Sequence, residues 1–142
     1  MALAANLSGK AISIAKTNAP HALSYPFSTN YGISHGHAVS LTFNQFMVLS
    51  FLRADKAFVT FDLKKRFKEI FNTLKIKNIY EFDLLLNDLK RDGGLEGDFN
   101  KLGINLHKDF EKIISTINFQ RLSNFPIKIN KRDIQSILLT DL

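Results

Sequence analysis

The chain has 142 residues, of which 45% are hydrophobic, so its length and composition suit one domain that buries a core. Cysteine is absent, which excludes disulfides, thiolate metal ligands and a cysteine nucleophile, and which fits a cytoplasmic protein. The formal net charge is +6, and the most apolar stretch, residues 46–52, is far shorter than the ~20 residues of a transmembrane helix, so we expect no membrane partner.

The first predicted helix covers residues 2–15. Its apolar residues recur at helical spacing and place Leu3 and Leu7 on one face. Gly9 lies in the middle of this segment, where glycine costs roughly 1 kcal/mol relative to alanine. Such a glycine is typical of a helix that packs closely against another helix.

Two helices follow, joined by a short turn. Residues 21–31 form the first of them, bent or tightened around Pro26, and Gly32 ends it in the position after a helix that favours glycine. Residues 33–36 form the turn. Residues 37–52 are apolar on nearly all sides, which predicts a central buried helix.

Further helices are predicted at residues 62–74, 79–91, 106–122 and 131–139, with an extended segment at 125–129. The first of these directs Phe67, Ile70 and Leu74 inward and its basic residues outward. These basic residues form the densest positive run of the chain. No nucleic-acid-binding motif accompanies them, so we interpret the run as a solvated helix face and expect no nucleic-acid partner.

No segment alternates between apolar and polar residues over the length of a strand. No repeat or linker divides the chain either. The sequence therefore predicts an all-α fold in which residues 1–142 form a single helical domain of six or seven helices.

Three of the four histidines lie within residues 19–39. A neutral imidazole is the commonest metal-binding side chain and suits both zinc and iron. His21 and His35 stand near the ends of two predicted helices joined by a turn, an arrangement that can bring them together. Their spacing matches neither a zinc finger nor a paired-histidine helix, so on spacing alone the simpler interpretation is that they are ordinary polar residues at helix ends. His37 and His107 are expected to be structural or exposed.

The same residues carry a resemblance. In the iron-containing alcohol dehydrogenases, a ligand histidine is followed after three residues by a further histidine and a proline. A second ligand histidine and a glycine come after a spacer. His21, Pro26, His35 and Gly36 fall into this register, and Tyr25 replaces the middle histidine. The tyrosine variant is similar to the branch that includes phosphonoacetaldehyde reductases.

Both ends of the chain extend the resemblance. Residues 4–17 resemble the glycine-containing helix that precedes the histidine motif in that family. The family's sequences close with an asparagine and an arginine, followed by an asparagine, a proline and a final helix. Near the C-terminus of this chain, the matching residues are Asn118, Arg121, Asn124 and Pro126. The middle of the chain diverges.

The resemblance implies that the chain corresponds to the C-terminal part of the helical, metal-binding domain of a dehydroquinate-synthase-like dehydrogenase, without the nucleotide-binding domain. It implies that His21 and His35 bind Fe(II) or Zn(II) and that Tyr25 lies in the active-site pocket. The implied reaction is the NAD(P)-dependent interconversion of a small aldehyde and a primary alcohol. An alcohol dehydrogenase of this family uses the metal as a Lewis acid on the reacting oxygen.

Two parts of the family's pattern are missing from these residues. There is no glycine-rich nucleotide loop, and no Asp-x-x-x-His pair to supply the other two metal ligands. A catalytic metal normally takes three or more protein ligands. We therefore expect an incomplete metal site, NAD(P) binding only in the complete enzyme, and an inactive isolated chain that is either a natural short protein or a fragment.

An alternative is a non-enzymatic helical module. If the rest of the family's fold is absent, apolar faces that would pack against it are exposed, and such patches mark interaction surfaces. The candidates are Leu3, Leu7 and residues 37–52. The partner would be a second copy, giving a homo-oligomer, or a separate chain that carries the nucleotide-binding domain.

Overall fold

The computed structural model describes residues 1–139, and the regular secondary structure of this part of the chain is entirely helical, with one short 3₁₀-helix and no strand. Its α-helices are α1 (Ala2–Ala15), α2 (Ala19–Tyr31), α3 (His35–Leu52), α4 (Leu63–Leu74), α5 (Ile79–Asp92), α6 (Leu106–Ser115), α7 (Phe119–Leu122) and α8 (Lys131–Leu139). The predicted all-α fold class is confirmed. Within the described residues, no helix combines the length and apolarity needed to cross a membrane.

Helices α2 and α3 form the centre of the fold. Helix α2 continues through Pro26 and ends at Gly32, whose φ of +67° lies in the left-handed region that glycine adopts without strain. Helix α3 begins at His35, two residues earlier than predicted. His35 and Gly36 therefore belong to the first turn of α3 and not to the connecting turn.

Helix α3 is covered by two apolar clusters. The larger cluster gathers side chains from α2, α3, α6, α7 and α8, with Phe27 and Phe46 fully buried. The smaller one is built on α4 and α5 around Phe67, and the opposite side of α3 packs against it through Phe43 and Phe51. This explains why residues 37–52 are apolar on nearly all sides. It also makes the prediction that this helix is an exposed docking face wrong.

Polar contacts fix α3 to its neighbours. The side-chain amide of Asn44, 2% exposed, donates to the carboxylate of Asp83 and to the side-chain oxygen of Asn87 on α5, each at 2.8 Å. After the end of α3, the guanidinium of Arg53 pairs at 2.7 Å with Asp133 on α8. Both contacts tie distant segments to the central helix.

Three local predictions were wrong. The segment predicted as one helix over 106–122 is divided into α6 and α7, because the chain turns after Ser115 and the side chain of Asn118 caps a new helix by accepting from Arg121 N–H at 3.0 Å. Leu74 is 41% exposed, since it ends α4 where Lys75 reverses the chain with a φ of +57°. Residues 125–127 form bends and are not extended.

Helix α1 contrasts with all the others. It forms over the predicted residues, yet none of its residues is buried, and Leu3 and Leu7 are 73% and 55% exposed. A Cβ added at Gly9 would meet nothing within 4 Å. The predicted exposure of Leu3 and Leu7 is confirmed, whereas no described residue provides the close helix packing that Gly9 predicted.

Candidate metal centre

His21 and His35 lie side by side. His21 stands in the first turn of α2, His35 opens α3, and the centroids of their imidazole rings are 5.3 Å apart with the ring planes at 57°. His21 is half-buried and His35 is exposed. The structure thus brings together the two sequence-predicted ligands, and their role in binding metal stays a prediction.

The buried side chain of Ser24 connects the two histidines. Its hydroxyl donates to the backbone carbonyl of His21 at 2.8 Å and lies 3.4 Å from Nδ1 of His35. A serine hydroxyl has only one proton to donate, so Ser24 can act toward His35 only as an acceptor. With the proton of the His35 imidazole on Nδ1, facing Ser24, Nε2 of that ring would keep the lone pair that a metal requires.

Tyr25 lies between a histidine and an arginine. The centroid of its ring is 6.0 Å from that of His35, and the guanidinium carbon of Arg121 is 4.8 Å from the same centroid. An arginine at this distance from an aromatic ring makes a favourable cation–π contact. Helix α7 packs against α2, and this packing carries Arg121 to the site.

The surroundings of His21 favour a neutral imidazole. Burial lowers its pKa below the ordinary value of 6.5, and the nearby basic groups of His35 and Arg121 lower it further. Metal ions bind the neutral form, so these surroundings keep His21 competent as a ligand at neutral pH.

The remaining histidines lie apart from this pair. Nε2 of His37 donates to the backbone carbonyl of Glu96 at 2.7 Å, a contact that fastens the first turn of α3 to the segment after α5. His107 is exposed in the first turn of α6. Both placements agree with the structural and surface roles expected of them.

Two adjacent imidazoles are donors that suit Zn(II) or Fe(II), but a catalytic centre needs at least one more protein ligand. Among residues 1–139, no group of three or more histidine, cysteine, aspartate or glutamate side chains is placed to hold a metal. The two histidines of the described residues therefore do not by themselves make a complete metal site.

Two residues that contact the histidine pair or Tyr25, Ser24 and Arg121, were not predicted from the sequence. Ser24 stands within the histidine motif, three residues after His21, but no pattern identified it as the partner of His35. Arg121 was noted in the closing element without a role at the site. The histidine motif and the closing element both resemble the same family, and this was the only indication in the sequence that these two distant segments are in contact.

The sequence is similar to known proteins. The profile of the C-terminal part of the Fe-containing alcohol dehydrogenase family matches residues 1–142. A segment of 44 residues is 43% identical to the phosphonoacetaldehyde reductase of Streptomyces viridochromogenes, a match that covers 31% of this chain and only 11% of that reductase. No solved structure gives a significant match.

Proposed function

The chain belongs to the Fe-containing alcohol dehydrogenase family, and on this premise we propose that it is the C-terminal, metal-binding part of an NAD(P)-dependent dehydrogenase. The observation that carries the proposal is the 5.3 Å contact between the rings of His21 and His35. These two side chains would hold Fe(II) or Zn(II). A metal bound there supplies Lewis-acid polarisation of the oxygen of a small aldehyde or primary alcohol.

The described residues contribute binding and orientation. His21 and His35 present two donors, Ser24 would accept from Nδ1 of His35 and leave its Nε2 free, and Tyr25 packs along one side of the pair. The match to the phosphonoacetaldehyde reductase supports the reduction of an aldehyde to an alcohol as the reaction class. The remaining ligands and the NAD(P) site would come from residues outside 1–139.

Metal titration of the purified chain tests this proposal. Co(II) is a useful probe, because its visible spectrum reports nitrogen ligation. We expect saturable binding that is lost in His21→Ala and in His35→Ala and retained in His107→Ala, which removes an exposed histidine far from the pair in sequence. Equal binding by all four proteins would show that the pair does not ligate metal and would overturn the proposal.

Catalysis by the isolated chain is a second test. Positioning a nicotinamide against a carbonyl group requires a nucleotide site, and two imidazoles alone make a weak metal site. We expect no oxidation of alcohols or reduction of aldehydes by the purified chain with NAD(P)H and added metal. Turnover at enzyme-like rates would contradict the proposed division of the site between this chain and other residues.

A further proposal concerns partners, and the exposure of α1 supports it. We propose that α1 is the surface on which the rest of the dehydrogenase fold docks, in a partner chain that carries the nucleotide-binding domain. Leu3, Leu7 and Ile14 are 73%, 55% and 85% exposed, an unusual amount of apolar surface for one helix. Only three residues separate α1 from α2, so α1 is close in sequence to His21. A non-enzymatic module that associates only with itself is the alternative.

A further inference from the structure

Arg121 is held at the histidine pair by a short helix with firm anchors. Leu122, the next residue, is 9% exposed and belongs to the main apolar cluster. The side chain of Asn118 accepts a hydrogen bond from the backbone N–H of Arg121 at 3.0 Å. The position of the Arg121 backbone is therefore fixed by burial and capping, and its side chain rests against the ring of Tyr25 on α2.

The charge of Arg121 has no carboxylate to neutralise it within residues 1–139. Arg53, Arg66 and Arg91 each form an ion pair with an aspartate or glutamate, but Arg121 forms none in this part of the chain. It is nevertheless partly buried. Its contact with Tyr25 leaves the N–H groups of the guanidinium available, and these match the oxygens of a carboxylate, phosphate or phosphonate.

We propose that Arg121, supported by Tyr25, is an oxyanion-binding subsite of the His21–His35 site. The reacting carbonyl compound would then carry an oxyanion group, with its carbonyl near the histidines and its anion on Arg121. This assignment of the substrate class rests on the proposed dehydrogenase function. The anion subsite itself rests only on the placement of Arg121.

The geometry also limits the size of such a compound. The ring of Tyr25 has His35 at 6.0 Å and Arg121 at 4.8 Å, measured between ring centroids and from the centroid to the guanidinium carbon. A molecule that reaches both groups passes along a single aromatic ring. It is therefore only a few bonds long, which describes a short aldehyde with an anionic end.

Titration of the metal-free, nucleotide-free chain with methylphosphonate, followed by NMR, tests the subsite. The measurement is made at about pH 8, where imidazoles are neutral, and at constant ionic strength with chloride as the balancing ion. We expect saturable shifts of the Arg121 side-chain and Tyr25 ring resonances. Arg121→Gln should raise the Kd roughly tenfold or more, because a charge-assisted bidentate contact is lost. Arg121→Lys should bind with intermediate affinity, since it keeps the charge but not the planar fork.

The control is Arg132→Gln, which makes the same charge change at an exposed position of α8 and should bind as wild type does. Amide spectra establish that each variant is folded, and Arg121→Lys provides a second test if Arg121→Gln is not. The proposal is overturned if wild type shows no saturable shifts, if Arg121→Gln binds normally, or if Arg132→Gln weakens binding equally. Because no metal is present, failure here is separate from failure of the Co(II) titration.

Discussion

The hydroxyl of Ser24 joins the two histidines, because it donates to the backbone carbonyl of His21 at 2.8 Å and lies 3.4 Å from Nδ1 of His35. Ser24 is fully buried, so its orientation is set by the packing of α2. A side chain that accepts from the non-ligating nitrogen of an imidazole fixes the ring and selects its tautomer. The orientation of the His35 ring beside His21 therefore depends on Ser24, which is not itself a proposed metal ligand.

Replacing this serine should weaken metal binding without unfolding the chain. Ser24→Ala removes the acceptor for Nδ1 of His35, and loss of such a partner typically lowers metal affinity about 10-fold or more. Ser40→Ala is the matched control, because its hydroxyl donates to the carbonyl of His37 in the same three-residue pattern on α3. Co(II) titration of the two variants should separate them, and equal affinities would remove Ser24 from the site.

The ion pair between Arg53 and Asp133 should stabilise the fold measurably. Asp133 is 6% exposed, so Asp133→Asn leaves a partly buried guanidinium without its carboxylate. Arg53 is 37% exposed, which moderates the cost, and we expect a loss of about 1–3 kcal/mol in the free energy of unfolding. Asp55→Asn breaks an exposed pair with Lys64 and should cost less than ~0.5 kcal/mol. Urea denaturation of both variants checks the difference.

The ion pair between Arg53 and Asp133 also predicts that the free energy of unfolding depends on pH. Burial raises the pKa of Asp133, but the hydrogen bonds from Arg53 and from the backbone N–H of Asn130 outweigh this effect and hold it below 3.8. The unfolded chain therefore binds the proton more readily, and the stabilisation is lost as the pH falls through the lowered pKa. The difference between wild type and Asp133→Asn should be constant above pH 3.8 and shrink below it. Urea denaturation of both proteins at a series of pH values measures this difference in the free energy of unfolding. A difference that grows as the pH falls would contradict the lowered pKa of Asp133.

The buried side-chain amide of Asn44 should stabilise the fold through its two hydrogen bonds to α5. Asn44→Ala removes the donor to Asp83 and Asn87 and leaves a small void beside them. We therefore expect the free energy of unfolding to fall by about 1–3 kcal/mol. Asn72→Ala, at an exposed position of α4, should change stability by no more than about 0.5 kcal/mol. Thermal and urea unfolding of the two variants provide the comparison. Similar stabilities would mean that water replaces the Asn44 contacts without cost.

Helix α1 should be dispensable for stability and important for association. The double variant Leu3→Glu, Leu7→Glu changes only exposed side chains, so the free energy of unfolding should stay within about 1 kcal/mol of wild type. The same change should abolish co-elution with a partner chain carrying the nucleotide-binding domain, or self-association if that is the mode instead. Light scattering after size-exclusion chromatography reports both. A variant that unfolds would show that α1 is packed against other residues, in contrast to its exposure in the described structure.

Much of the helical pattern was predictable from short-range chemistry. Helical periodicity identified α1, α4 and α5 closely, because each has an apolar face repeating every turn. Gly32 identified the end of α2, since its left-handed φ is strained for other residues. The break between α6 and α7 was missed, because the apolar pattern continues across it and only the Asn118 cap marks the new helix.

The positions of the histidines on their helices, and the likeness of their register to the family's motif, follow from the order of amino acids alone. The 5.3 Å distance between the rings of His21 and His35, and the contact of Arg121 with Tyr25, became known only from the packing of the helices. The two kinds of information differ because the interactions behind them act over different distances along the chain. Caps and periodicity act within a few residues, whereas the packing of α7 on α2 depends on apolar burial between segments remote in the chain. Exposure of α1 is likewise a property of what packs against it, which no local pattern encodes.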